Sequence, residues 1–357
     1  MTPLGEELIR LIQQEGPISV ERYMGMALGD PRYGYYMTRD PFGTKGDFTT
    51  APEISQMFGE ILGLWCADLW IRMGCPTELS LVELGPGRGT LMQDALRAMK
   101  RIKGLYETMS ITLVEISPVL RQAQSLALAP FGLPVAWQSE ITALPQKPTL
   151  VIANEFFDAL PVRQFQRVSG KWHERLIGLD HHNALSFGLA GEAESSALPD
   201  APEGTILERC PIGEHLMAEL SRHIARFGGA GVAIDYGHTQ SGFGETLQAL
   251  KSHTFVDPLK DPGKADLTIH VDFERLTASA HAQGTLISGP MAQADFLEAL
   301  GIKERALLLK KSATPDQAAS IEAGLTRLTD RSPKGMGSLF KVLSFRHADC
   351  PQPAGFV

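Results

Sequence analysis

Residues 80–90 read Ser80-Leu81-Val82-Glu83-Leu84-Gly85-Pro86-Gly87-Arg88-Gly89-Thr90. The apolar run predicts a buried strand over 80–84. Glycines at alternate positions then predict a tight loop, and a helix opens at about Thr90 and runs to Lys103. Outward from this unit the pattern repeats. Ile111–Glu115 reads as a strand, and Ser117-Pro118 as the N-cap and first residue of a helix. Pro134–Trp137, Thr149–Ala153 and Gly231–Tyr236 are further short apolar strands, with late strands at Thr285–Ser288 and Leu339–Phe345. Strands alternating with helices predict an α/β fold with a doubly wound parallel sheet.

The glycine loop follows a strand and precedes a helix, so backbone N–H groups and a positive dipole end face any ligand there. Its spacing is G-x-G-x-G, not the G-x-G-x-x-G of dinucleotide folds. Glu83, two residues before the first glycine, would repel a pyrophosphate and suits a cationic ligand. S-adenosylmethionine carries an ammonium and a sulfonium and no phosphate. Glu115, at the end of the next strand, stands where doubly wound folds place the acid for ribose hydroxyls. The bland alternative is a tight turn at 85–89 and a solvated strand end at 115.

Four segments quoted together resemble one family. They are Gly46-Asp47-Phe48-Thr49-Thr50-Ala51-Pro52-Glu53, the loop at 83–91, Val114-Glu115-Ile116-Ser117-Pro118, and Ala153-Asn154-Glu155-Phe156-Phe157-Asp158-Ala159-Leu160-Pro161. Ile234-Asp235-Tyr236-Gly237 and Asp266–Phe273 extend the likeness along nearly the whole chain. The sequence resembles the MidA-type class I methyltransferases, whose mitochondrial members are complex I assembly factors that methylate an arginine. Ala51 departs from the serine usual there. The resemblance implies a Rossmann-like methyltransferase core with an N-terminal helical region and inserted elements. It implies S-adenosylmethionine held by Glu83, Gly85, Pro86, Gly87, Gly89, Thr90, Glu115 and Ile116, with the 138–141 segment, Glu140 and Ile141 included, near the adenine. By the same likeness the client is the complex I subunit corresponding to the mitochondrial 49-kDa subunit.

On the acceptor side, Asn154-Glu155-Phe156-Phe157-Asp158 follows a strand whose C-terminal end borders the ligand crevice. Methyl transfer to a guanidinium needs alignment and a carboxylate that favours proton loss. Asn154, Glu155 and Asp158 are the catalytic candidates, the two acids being three apart on one turn. Phe156 and Phe157 could wall the pocket; core packing is the alternative. Asp47, Phe48, Thr49 and Glu53 bracket a segment that is either a lid or the capping region of the helix after Pro52. Asp235 and Tyr236 end another strand at the same crevice. His270-Val271-Asp272 sets two polar side chains on one strand face, within a polar group that also includes His253, Asp257 and Asp266. Its spacing matches no ligand set, so no metal is expected.

Composition and charge bound the class. The chain has 357 residues, with Lys plus Arg 33 and Asp plus Glu 41, a net charge of −8. That balance argues against a nucleic-acid partner. The four cysteines, Cys66, Cys75, Cys210 and Cys350, form no C-x-x-C pair, and sparse cysteine fits a reducing compartment. The most apolar stretch is too short to span a bilayer. No mitochondrial presequence is read at the N-terminus, so a bacterial, cytoplasmic protein is expected. Three consecutive regions are expected: a helical and lid region over 1–78, a methyltransferase core over 79–240 with a hairpin excursion near 162–205, and an acceptor-side segment plus final core strands over 241–357. Three functions compete: an arginine methyltransferase acting on a protein client, a non-catalytic assembly chaperone that keeps the cofactor fold, and, disfavoured by the loop spacing, a nicotinamide oxidoreductase. Monomer and homodimer both stay open.

Overall fold

The computed structural model describes residues 2–38, 50–141 and 144–356. They fall into two compact units. One comprises His215–Gln240, 271–356 and the described residues of 49–157. The other comprises Asp158–Glu214, Ser241–His270 and the described residues before position 49. Both are interleaved along the chain, so the three consecutive regions read from sequence order do not coincide with them.

The first unit holds an eight-stranded sheet. Its strands are β1 (Leu79–Leu84), β2 (Met109–Val114), β3 (Val135–Gln138), β4 (Thr149–Asn154), β5 (Gly229–His238), β6 (Val271–Asp272), β7 (Leu286–Ala292) and β8 (Phe340–Arg346). The order is β7-β8-β5-β4-β1-β2-β3, with β6 on β5. From β5 to β3 every pairing is parallel, while β8 runs antiparallel between β5 and β7. Strand order reverses between β1 and β4, which is where doubly wound sheets open their ligand crevice. β1 and β4 are buried along their whole length, as continuous apolar runs covered on both faces must be.

Helices α1 (Ala51–Ile54), α2 (Gln56–Arg72), α3 (Thr90–Met99) and α4 (Pro118–Leu128) border the site. Met57, Phe58, Ile61, Leu62, Trp65 and Leu69 are buried on α2, which is separated from α1 by Ser55, whose hydroxyl caps α2 at Met57 N. Glycines let α2 and α3 approach closely: a Cβ on Gly63 would stand 2.5 Å from the Ala95 carbonyl oxygen. Ser117 caps α4 with Pro118 at its first position, as the sequence predicts.

The second unit joins the N-terminal helices Pro3–Glu15 and Val20–Gly29 to two small antiparallel sheets. Ile18–Ser19 pairs with Lys171–Leu179, one arm of the hairpin expected near 162–205, which turns between Val168 and Lys171. The Tyr36 hydroxyl donates to Asp266 at 2.7 Å and the Thr2 hydroxyl to the Pro262 carbonyl at 2.9 Å. These bonds tie the first 38 residues to segment 241–270, whereas α2 packs on the central sheet. That difference in partners divides the expected 1–78 region.

Candidate functional site

The glycine loop leaves β1 with Gly85, Gly87 and Gly89 at φ of 59°, 54° and 83°. All three are in the left-handed region where side chains are strained. Gly89 N–H donates to the Pro86 carbonyl, and Gly89 is the N-cap of α3. Glu83 is buried on β1, and its Oε2 has no hydrogen-bond partner. Burial pushes its carboxyl up to about 8, and Glu115 pushes the same way. A buried acceptor left unpaired is costly unless a ligand completes it, and a cation would also favour the ionised form. The residues present therefore fit the ammonium-bearing cofactor read from the sequence.

Glu115 closes β2, buried to 7% exposure. Its Oε1 accepts the Ser117 N–H at 2.8 Å and its Oε2 the Gln124 amide at 3.2 Å. Burial raises its carboxyl, and those two donors oppose the rise. Ile116 is exposed and Ile141 buried, while Glu140 faces solvent. Sequence reasoning missed Gln124 because a glutamine inside an amphipathic helix carries no motif.

At the end of β4 the chain breaks sharply. Glu155 takes φ 48°, a strained conformation for a side chain of that size and one that gathers at functional sites. Its N–H donates to the Ile234 carbonyl. Its Oε1 accepts the Ala51 N–H at 2.8 Å and the Asn154 amide at 3.3 Å. Asn154 is buried, and its Oδ1 has no partner. In register Glu83 lies beside Ile152, so the Glu83 and Asn154 side chains share one sheet face. A 3-10 helix, Phe157–Ala159, begins only after Glu155. Glu155 and Asp158 therefore do not share a helical turn; the left-handed residue separates them. Asp158 is buried and belongs to the second unit.

Asp235, fully buried on β5, accepts the N–H groups of Phe156, Phe157 and Tyr236 at 3.1, 3.0 and 2.9 Å. Through these bonds it shapes the turn after β4. The Phe156 and Phe157 rings meet edge to face at 5.5 Å, Phe157 in the core. Phe156 also lies over the loop, where a Cβ on Gly85 would stand 2.9 Å from its Cδ2. Tyr236 packs its ring on Phe340.

Glu53 has a role outside the two weighed for it. Its Oε1 accepts the Thr90 hydroxyl at 2.6 Å, and its Oε2 lies 3.7 Å from Arg88, so it buttresses the glycine loop. Asp47, Phe48 and Thr49 lie outside the described residues. His270 and Asp272 do not lie on one strand: the chain breaks between Asp266–Thr268 and β6, because the His270 N–H turns to the Thr246 hydroxyl and Asp272 caps the helix Phe273–His281. Among the described residues, no three His, Cys, Asp or Glu side chains gather as metal ligands, and no helix is long and apolar enough to cross a membrane.

Comparison with known proteins gives this arrangement a context. Residues 61–291 match the model of a family described as S-adenosyl-L-methionine-dependent methyltransferases. The chain is 39% identical to Protein arginine methyltransferase NDUFAF7, mitochondrial, of Danio rerio, covering 92% of this chain and 83% of that one. The Homo sapiens protein of the same name is 37% identical, covering 96% and 83%. A crystal structure from Burkholderia thailandensis, bound to S-adenosyl-homocysteine, superposes with a TM-score of 0.84 at 28% identity, over 99% of this chain and 93% of that one. The cytoplasmic location expected from the sequence is contradicted by these relatives, whose names place them in mitochondria. The nicotinamide alternative likewise gives way to S-adenosylmethionine as the cofactor. On the family match, and on likeness extending over more than nine-tenths of its length, the chain belongs to the S-adenosyl-L-methionine-dependent methyltransferases.

Proposed function

We propose that the acceptor is an arginine guanidinium on a protein client, and that the site residues divide into a cofactor cradle and an acceptor-side pair. The cradle is Glu83, Gly85, Pro86, Gly87, Gly89, Thr90 and Glu115, with Ile116, Glu140 and Ile141 toward the adenine. The cofactor supplies an electrophilic methyl group on a sulfonium. The chain's own task is then to align the nitrogen, exclude water and take a proton.

The observation that carries the acceptor reading is the strained Glu155 at the end of β4. Its carboxylate can hold a guanidinium by charge-assisted hydrogen bonds and accept the N–H proton as the nitrogen becomes bonded to carbon. The Asn154 Oδ1, which has no protein partner, can accept a further N–H and fix the guanidinium plane. The relatives named protein arginine methyltransferases support the choice of acceptor. By resemblance the client is the 49-kDa-type subunit of complex I, and the work is complex I assembly.

Mass spectrometry of that subunit from cells with and without this chain tests the reading. An arginine whose methylation disappears in the deletion, and returns with the wild-type chain but not with a Glu155→Gln variant, is the expected outcome. Unchanged arginine methylation would sink it. Restored assembly by an inactive variant would favour a chaperone.

A further inference from the structure

The geometry points to Gln124 as the positioning residue of the cofactor site, a buried amide that fixes the Glu115 carboxylate against the glycine loop. The inference rests on the reading of Glu115 as the ribose-binding acid. Gln124 lies on α4 and is fully buried. Its Nε2 donates to the Gly87 carbonyl at 2.7 Å and to Glu115 Oε2 at 3.2 Å. Its Oε1 accepts the Trp137 indole N–H at 2.9 Å. One side chain thus reaches the loop after β1, the end of β2 and the strand β3.

The amide orientation is fixed by chemistry. Reversing it would set an oxygen against a carbonyl and a carboxylate, both acceptors only, and an amino group against an indole donor. Both amide hydrogens and one oxygen lone pair are used, so the group cannot turn without losing a bond. The backbone of Gln124 also lies beneath the loop: a Cβ on Gly89 would stand 3.4 Å from the Gln124 Cα. A leucine has similar volume and would suit an apolar environment, so filling space does not account for a buried amide here. Its three hydrogen bonds do, and the one to Glu115 bears on the cofactor. With one donor on each oxygen, from Ser117 and from Gln124, the carboxylate is held in one orientation. Each oxygen keeps lone-pair capacity for a hydroxyl.

Calorimetric binding of S-adenosylhomocysteine, and of its 2′,3′-dideoxy analogue, tests the assignment without any client. Removing a hydrogen bond to a charged group costs roughly ten- to a hundredfold in affinity. Gln124→Leu should weaken S-adenosylhomocysteine by about tenfold or more, and the dideoxy ligand by less than about threefold. A purely structural role would weaken both alike, and that result overturns the inference, as does wild-type affinity in a folded Gln124→Leu protein. Trp137→Phe removes only the donor that fixes Gln124 Oε1 and serves if Gln124→Leu does not fold. It should give a smaller loss with the same ligand selectivity, and no loss overturns the inference. Glu115→Ala tests the underlying reading on its own: if it binds S-adenosylhomocysteine as tightly as wild type, the ribose assignment fails. Loss in Glu115→Ala with none in Gln124→Leu defeats only the role given to Gln124.

Discussion

Asp235 accepts the backbone N–H of Phe157 at 3.0 Å, and through this bond the end of β5 holds the turn that follows β4. The same carboxylate takes the N–H groups of Phe156 and Tyr236. A buried backbone donor left without an acceptor costs about 1–3 kcal/mol. Asp235→Ala leaves one buried and two part-buried donors without it, and with partial relaxation we expect a loss of about 3 kcal/mol. Asp235→Asn keeps one acceptor oxygen and should lose about 1–2 kcal/mol. Urea denaturation measures both; a change below about 0.5 kcal/mol in Asp235→Ala would show that water already serves these donors.

Glu155 sits one residue before that turn. Glu155→Gln keeps its size and one acceptor oxygen, so the bond from Ala51 N can persist. It loses the charge that holds a guanidinium and receives a proton. Turnover on an arginine client should fall by more than about a hundredfold, the scale of a general base. Cofactor affinity should stay within about threefold of wild type, because the loss lies in the transition state. Radiolabel transfer alongside calorimetry reads the two separately, and a fall in cofactor affinity alone would remove the acceptor role.

The parallel core was legible because its strands are buried on both faces and their apolar runs are continuous. Ser80–Leu84, Thr149–Ala153 and Gly231–Tyr236 each lie within the observed strand. The loop and Glu115 were legible from local spacing. The helices from Gln293 to Thr329 were not read, because the first two are short and Pro315–Thr329 buries only Gly324 and Leu328, so none carries a long apolar stripe. Asp235 and Gln124 show a different limit. Each acts through bonds to residues 78 and 37 positions away, and no spacing rule along the chain encodes such a partner. Glu53 was read as lid or cap because its partner Thr90 is likewise distant. The twofold division of the chain was hidden for the same reason, since Ile18–Ser19 pairs with a strand near position 177.

Gly85→Val tests the loop directly. The backbone is left-handed at φ 59°, and the new Cβ would stand 2.9 Å from Phe156 Cδ2. A side chain in this conformation costs roughly 1–2 kcal/mol, more when β-branched, which the core should survive. The branched group would also occupy the exposed face of the loop where the ligand approaches. We expect a folded protein with no measurable S-adenosylhomocysteine binding. Wild-type affinity in that protein would move the cofactor away from the loop.

Glu83 makes cofactor binding depend on pH. Burial, assisted by Glu115, raises its carboxyl to about 8, so the free protein holds a proton there at neutral pH. A cationic ligand favours the ionised form, and binding must release that proton. Affinity for S-adenosylmethionine should therefore rise with pH, by up to tenfold per unit below about 8. Stability runs the other way. The unfolded chain loses this proton near the ordinary 4.5 and the folded chain near 8, so between those values the folded state binds more protons. The stability this gives is complete below 4.5 and is lost as pH rises through 8. Glu83→Gln should bind more weakly, with no such slope, and its stability should fall less across that window, the raised carboxyls of Asp94 and Glu115 remaining. Titration calorimetry from pH 6 to 9, in two buffers of different ionisation enthalpy, counts the protons released. Affinity independent of pH with no proton release would mean that Glu83 is already ionised in the free protein.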